Sequence, residues 1–412
     1  MQTGVNLGWP GAMIWSRDIL KETEFTIMKN APRRLTLAAL CLAVFTIAVA
    51  QSAAAFPADQ AEQSGQPVGM GFVVQDFFGG QILGYGVDRD GTRGMLSEYV
   101  ELPDGNLLIA TELFDPNTGI IIGIVERQTE TQDNFVTLGV VWNHVGLRQI
   151  QHVQGGYVVS RTYNMMNPIQ GNKFNGAWLP PIDNSKTLFE DIEGDQGNPN
   201  AAVMASSFLC CGREVFGSNV AANRFGPIIT LTDPIFTGGV PPLLAYYSAT
   251  NQAVLAQAQG APYSTPEIGL VNLTTRDVNE FTGLGDGFVN GLAVDSGTGI
   301  ACTTTETDNS AEFYNLATRT GFIVSLPIIG QYSGATVAVD PVNKLFLITH
   351  PRPAAAGEIH VYDENGSLQN SLNGFAMGPG GVTIAVVPGR RMGFVQAPGR
   401  NRNQSGLQSF TY

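Results

Sequence analysis

Charge is scarce in this 412-residue chain: Asp, Glu, Lys and Arg make up 14% of it, with 35 acidic against 22 basic side chains. Histidine, cysteine and tryptophan occur four times each. There is no His-Glu-x-x-His, no paired histidine spacing and no Cys-x-x-Cys, which speaks against the common zinc sites. A Gly-x-Ser-x-Gly elbow and a Gly-x-Gly-x-x-Gly following a strand are missing too, so serine-hydrolase and dinucleotide chemistry lack support. After residue 60 no long apolar stripe of helical period occurs. Short β-rich runs bounded by Gly, Pro, Asn and Asp take its place, and the 49 Gly and 23 Pro suit tight turns every few residues. The chain reads as all-β.

The one continuously apolar stretch lies near the start. Lys29, Arg33 and Arg34 precede an apolar run from Leu35 to Ala50, and Ala53-Ala54-Ala55 follows it. A basic region, an apolar region and a small-residue end make a secretory signal peptide over residues 28–55, cleaved after Ala55. Residues 1–27 read as sequence upstream of the true start at Met28. The expected mature chain, 56–412, is secreted or periplasmic, with no membrane attachment after cleavage. The first 55 residues hold five basic and three acidic side chains, leaving 17 basic and 32 acidic groups and a net charge of −15. Such a surface repels phosphate backbones, so nucleic acid is excluded as a partner.

One unit recurs along the chain: a strand, a tight polar turn, a second strand, a loop, and a third strand ending in a polar turn. It is plainest in Gly291-Leu-Ala-Val-Asp295 with the strands after it, and again in Thr336-Val-Ala-Val-Asp340. Asp295 and Asp340 lie 45 residues apart, the spacing of four-stranded propeller blades. Seven copies can be placed, their first strands beginning near Glu98, Leu147, Ala201, Leu243, Gly291, Thr336 and Val382. The expected architecture is a single β-propeller of seven four-stranded blades. The last copy has three strands, and Gly69-Met-Gly-Phe-Val-Val-Gln75 would supply its fourth. Joining both chain ends in one blade closes the ring and hides an edge that would otherwise template aggregation. A monomer is expected.

The two clear copies, each with Ala-Val-Asp, a turn and a tyrosine-bearing third strand, resemble the YVTN and NHL type of propeller repeat over residues 285–373. Such propellers include scaffolds, binding proteins and a minority of enzymes, so no activity follows from the fold. The segment Asn290-Gly291-Leu292 also resembles one in gluconolactonase-like propellers, which hydrolyse lactones with calcium held at the channel mouth. That resemblance implies Asn290 and, as stand-in for a missing Asp/Glu-Gly-Pro opening, Glu98 as Ca2+ ligands. The Tyr and Asp expected downstream are replaced by Cys302 and Thr305.

In this repeat the loops between second and third strands share a face with the entrance to the innermost strand, where propeller ligand sites gather. The template puts Glu112, Asp115, Arg161, Asn290, Glu306, His350, Arg352, Arg400 and Arg402 there. His350, Arg352, Arg400 and Arg402 would form a positive patch in an acidic domain, able to hold a carboxylate or phosphate. The acidic run Glu190–Asp195 reads as a solvated turn, since its glycines are misplaced for a calcium loop. In an oxidising compartment Cys210 and Cys211 are expected to form a vicinal disulfide at a turn, leaving Cys302 buried and reduced. The reading is a binding module for a small molecule or an extracellular protein, with no catalytic constellation and no evident cofactor. A calcium-dependent lactonase-like hydrolase is the alternative.

Overall fold

The computed structural model describes residues 70–74, 81–87, 91–104, 107–130, 140–142, 147–154, 157–164, 169–170, 173–174, 177–178, 187–194, 201–208, 212–219, 224–232, 236, 242–257, 266–285, 289–305, 310–326, 335–350, 357–375, 377, 384–398 and 405–412. The expected leader, Cys210, Cys211, Glu306, Arg352, Arg400 and Arg402 lie outside these residues.

Alternating and β-branched apolar runs form antiparallel sheets. After β1 (Met70–Val74), the strands β2 (Gln81–Val87), β3 (Gly94–Glu101), β4 (Leu107–Phe114) and β5 (Ile121–Glu130) pair in chain order. β6 (Val140–Trp142), β7 (Leu147–Gln154) and β8 (Tyr157–Asn164) begin the next sheet. The short pair β9 (Ile169–Gln170) and β10 (Lys173–Phe174) intervenes before β11 (Ala177–Trp178) completes it against β8. β12 (Thr187–Gly194), β13 (Ala201–Phe208) and β14 (Gly212–Asn219) follow, with β15 (Arg224–Phe225) and β16 (Ile229–Leu231) both on β14.

Three sheets of one plan come next. The first holds β17 (Leu243–Tyr247), β18 (Gln252–Gln257), β19 (Glu267–Asn272) and β20 (Val278–Thr282). The second holds β21 (Val289–Asp295), β22 (Ile300–Thr305), β23 (Ser310–Asn315) and β24 (Thr320–Ser325). The third holds β25 (Val337–Asp340), β26 (Leu345–His350), β27 (Gly357–Asp363) and β28 (Leu368–Phe375). β29 (Ile384–Val387), β30 (Met392–Pro398) and β31 (Ser405–Thr411) form a last sheet, whose fourth strand is β1, paired through Met70↔Phe410 and Val74↔Leu407.

The first strands touch in succession: β2 with β6, β6 with β12, β12 with β17, β17 with β21, β21 with β25, β25 with β29, and β29 with β2. Burial falls outward, so β23 is almost wholly buried while its neighbour β24 is exposed. The core lies between sheets rather than within one. Cys302, Ala311 and Phe313 pack against Phe346, Ile348 and Tyr362 of the following sheet. Val387 and Phe394 of the last sheet pack against Tyr85 and Phe114 of the first, with the Phe114 and Phe394 rings edge to face at 5.4 Å. Each such side chain contributes about 2 kcal/mol by leaving water.

The connections from first to second and from third to fourth strand leave each sheet at one end, here the turn end. The second-to-third connections leave at the other, the loop end. Turn-end chemistry repeats. Asn251, Gly299, Lys344 and Arg391 occupy the same register and all have positive φ, at 53°, 73°, 54° and 49°. At the third-to-fourth turns, Asp115, Asn272, Asn315 and Asp363 each accept hydrogen bonds from backbone N–H groups two to four residues on, at 2.8–3.1 Å. Asx side chains that bond their own turn supply this geometry without help from the rest of the fold.

The sequence template slips by one strand in the first three sheets. Glu98, Leu147 and Ala201 were expected to open first strands. They lie on β3, β7 and β13, each preceded by an inner strand. Glu190–Gly194, expected as part of a solvated turn, belongs to β12. The missed strands carry weak signals: β2 contains Gly84 and Gly86, β6 is three residues long, and β12 holds three acids. The assignments agree from β17 onward, and β1 does pair beside β31.

Candidate functional site

Two polar clusters occupy the loop ends of adjoining sheets. In the sheet of β21–β24, Glu312 on β23 is fully buried and accepts hydrogen bonds from Thr303 at 2.5 Å, from Thr305 at 2.9 Å and from Ser310. Thr303 stands directly across the ladder from Glu312. Its equivalents in neighbouring sheets are Leu255, Ile348 and Val395, so the hydroxyl is particular to the sheet that holds the carboxylate. A carboxylate taken out of water needs such donors, because an unsatisfied one costs far more than the bonds return. Gly285 makes the room: a Cβ there would come within 2.3 Å of Glu312 Oε1.

In the sheet of β25–β28 the position matching Glu312 is His360. Its Nε2 lies 2.9 Å from Glu358 Oε2 and its Nδ1 3.4 Å from the Tyr362 hydroxyl. The His350 ring lies 4.0 Å from the His360 ring, tilted by 50°. Glu358 is the member that reaches solvent, with its side chain 21% exposed. Burial, and then the nearby Cys302 thiol, raise the Tyr362 phenol above its ordinary range. Burial also raises the Cys302 thiol well above its usual value, with the Glu312 charge adding to it. Cys302 is buried and unpaired.

The expected rim residues divide. His350, expected in a positive loop, is the last residue of β26 and has no exposed surface, its ring lying against that of His360 on the paired strand. It does not contribute to a surface patch. Arg161 lies on β8, the third strand of its sheet, opposite Ile150 and Trp178, and the loop it was assigned to is on the other end. Glu112 and Asp115 move to the turn end for the same reason: with β2 in place, β4 is a third strand. Asn290 sits at the loop end of β21 as the extra residue of a bulge between Val289 and Gly291, and its Nδ2 has no hydrogen-bond partner. Gly291 beside it lets β21 approach the next sheet, since a Cβ would meet the Val337 nitrogen at 2.8 Å. Glu98 is fully buried on β3, behind β2, in a sheet that does not adjoin that of Asn290.

Glu312 and Glu358 were not singled out in the sequence. Their signal is a carboxylate inside an otherwise apolar strand, as in Ala311-Glu312-Phe313, with hydroxyls one strand away. Among the described residues no three His, Cys, Asp or Glu side chains group to hold a metal, and no helix is long and apolar enough to cross a membrane. A cleft of about 220 Å3 lined by Ile300, Phe313 and Phe322 opens at the turn end. It is smaller than the ~300 Å3 at which small-molecule sites begin.

No protein-family model and no curated protein matches the chain. Solved structures do. The "Dos1 propeller" aligns at 11% identity and TM-score 0.50, over 84% of this chain and 94% of that one. The Cps50 (Swd1) β-propeller domain of Myceliophteria thermophila aligns at 13% and 0.50, over 84% and 100%. With antiparallel four-stranded sheets following one another through their first strands, this defines the class: the protein is a β-propeller.

Proposed function

We propose that the protein is a binding module that recognises another protein through the loop end of its sheets. The observation that carries this reading is the contrast between ends. Turn-end positions repeat one backbone geometry and, at the third-to-fourth turns, an Asp or Asn, whereas register-equivalent third-strand positions near the loop end differ in four sheets: Gly269, Glu312, His360 and Gln408. Fold alone requires the repeated positions; specificity needs the others. A seven-bladed ring of the YVTN/NHL kind, closed by β1 and exported by the leader, fits this role. The cyclic succession of first-strand contacts and the Met70↔Phe410 pairing support the closure. Glu306, Arg352, Arg400 and Arg402 are further contact candidates.

A photo-reactive residue at position 358 or at position 365 tests the reading. Asn365 lies exposed in a turn-end connection of the same sheet. Exposed to extracellular proteins of the source organism, the 358 form should give a discrete adduct and the 365 form none. Adducts from 365 alone, or calcium-dependent hydrolysis of a lactone by the unmodified protein, would overturn it in favour of a turn-end surface or an enzyme.

A further inference from the structure

Asp295 and Asp340 hold equivalent positions at the ends of β21 and β25, and both are fully buried. Each uses Oδ1 to cap its own turn: Asp295 accepts from the Gly297 and Thr298 nitrogens at 2.7 and 3.3 Å, and Asp340 from Val342 and Asn343 at 3.1 and 3.2 Å. The second oxygens differ. Asp340 Oδ2 accepts from Asn343 Nδ2 at 2.7 Å and from the Tyr412 hydroxyl of the following sheet at 2.8 Å. Asp295 Oδ2 is buried with no donor.

The register shows what faces it. Tyr412 is the residue just after the third-strand position of Thr411, and the corresponding residue in the sheet of β25–β28, one past Asp363, is Glu364. A carboxyl group therefore occupies the place where the neighbouring seam has a phenol. Glu364 accepts a hydrogen bond from Thr298 Oγ1 of the Asp295 turn, which anchors it across the seam. Two acceptors that face each other, Asp295 fully buried and Glu364 half-buried, need a proton between them, as paired carboxyls do when both cannot ionise.

We propose that Asp295 and Glu364 share one proton, forming a latch between neighbouring sheets that closes on acidification. Burial raises the Asp295 carboxyl above the ordinary carboxylate range. The Gly297 N–H opposes this, the Glu364 charge adds to it, the Thr298 N–H opposes, and the hydrogen bond with Glu364 adds again. The other groups around the pair do not neutralise it. Asp363 spends its carboxylate on the Asn365 and Ser367 nitrogens and on Gln369, and Tyr247 brings only a phenol, set against Gly299. No described Lys, Arg or His forms an ion pair with either acid.

The sign follows from the raised value: the folded chain binds more protons than the unfolded one. The latch contributes fully below about pH 4, the unfolded carboxyl range, and is lost as pH rises through the higher folded value. Thermal melting of the full chain at about pH 5 and about pH 7.5 tests it, the first setting near the ordinary carboxylate range and the second well above it. Glu364→Gln and Asp295→Asn each restore a neutral donor without deleting the turn cap. Each should raise Tm by on the order of 2 °C at the higher pH and leave it unchanged at the lower. Equal effects at both pH values, or none at either, would remove the shared proton. Calcium chloride that raises the wild-type Tm at the higher pH, but not that of Glu364→Gln, would place a cation there instead and overturn the proposal.

Discussion

The two ends of each sheet are built on different rules. At the turn end, Asp115, Asn272, Asn315 and Asp363 perform one task in four sheets, and a residue in the left-handed region closes four first-to-second turns. Near the loop end, one third-strand position is a carboxylate held by three hydroxyls in one sheet and an imidazole held by Glu358 and Tyr362 in the next. Repetition at one end satisfies backbone groups locally, so each turn forms with little dependence on its neighbours. Variation at the other end is stabilised only by contacts particular to each sheet. Glu358, the member of these clusters that reaches solvent, can distinguish partners, because an unpaired charge penalises the wrong one.

Breaking the turn end should have the largest effect. Asp340 joins its own turn to the following sheet, accepting also from the Gly389 nitrogen at 3.0 Å and from the Tyr412 hydroxyl. Asp340→Ala leaves those donors unmatched in the seam and should lower unfolding stability by about 3 kcal/mol, read from urea denaturation. At the loop end, Thr303→Val keeps the shape and removes one donor to Glu312. The expected cost is about 1.5 kcal/mol by the same measurement, since the other two hydroxyls stay. The smallest effect is a gain. Lys344 sits at φ 54°, where a side chain is strained, and Lys344→Gly should add about 0.5 kcal/mol, relieved strain slightly exceeding the entropy that glycine costs. A loss there would mean that the turn geometry is not under backbone strain.

How much the sequence reveals follows the same division. Asp295 and Asp340, each with its short strand and turn, announce the repeat because turn chemistry is local and written in adjacent residues. The sheets from β17 onward, and β1 as partner of β31, were legible for that reason. Where β2, β6 and β12 lack clean alternation the template slipped one strand. A slip of one strand exchanges the two ends of an antiparallel sheet, which is how Arg161, Glu112 and Asp115 were assigned to the wrong end. His350 failed differently. The repeat template placed it in a loop, yet it is the fully buried last residue of β26, its ring against that of His360 on the paired strand β27. Such contacts between strands are tertiary features, and local pattern does not encode them.

The division of labour between the ends is tested most directly by measuring, on the same two variants, both the urea midpoint and the affinity for the partner captured at position 358. Asp363→Ala should unfold at lower urea and bind as the wild type does. Glu358→Gln, which keeps an acceptor for His360 but removes the exposed charge, should unfold at the wild-type midpoint and bind roughly tenfold more weakly, the equivalent of about 1.4 kcal/mol. Binding lost in Asp363→Ala and retained in Glu358→Gln would contradict the account.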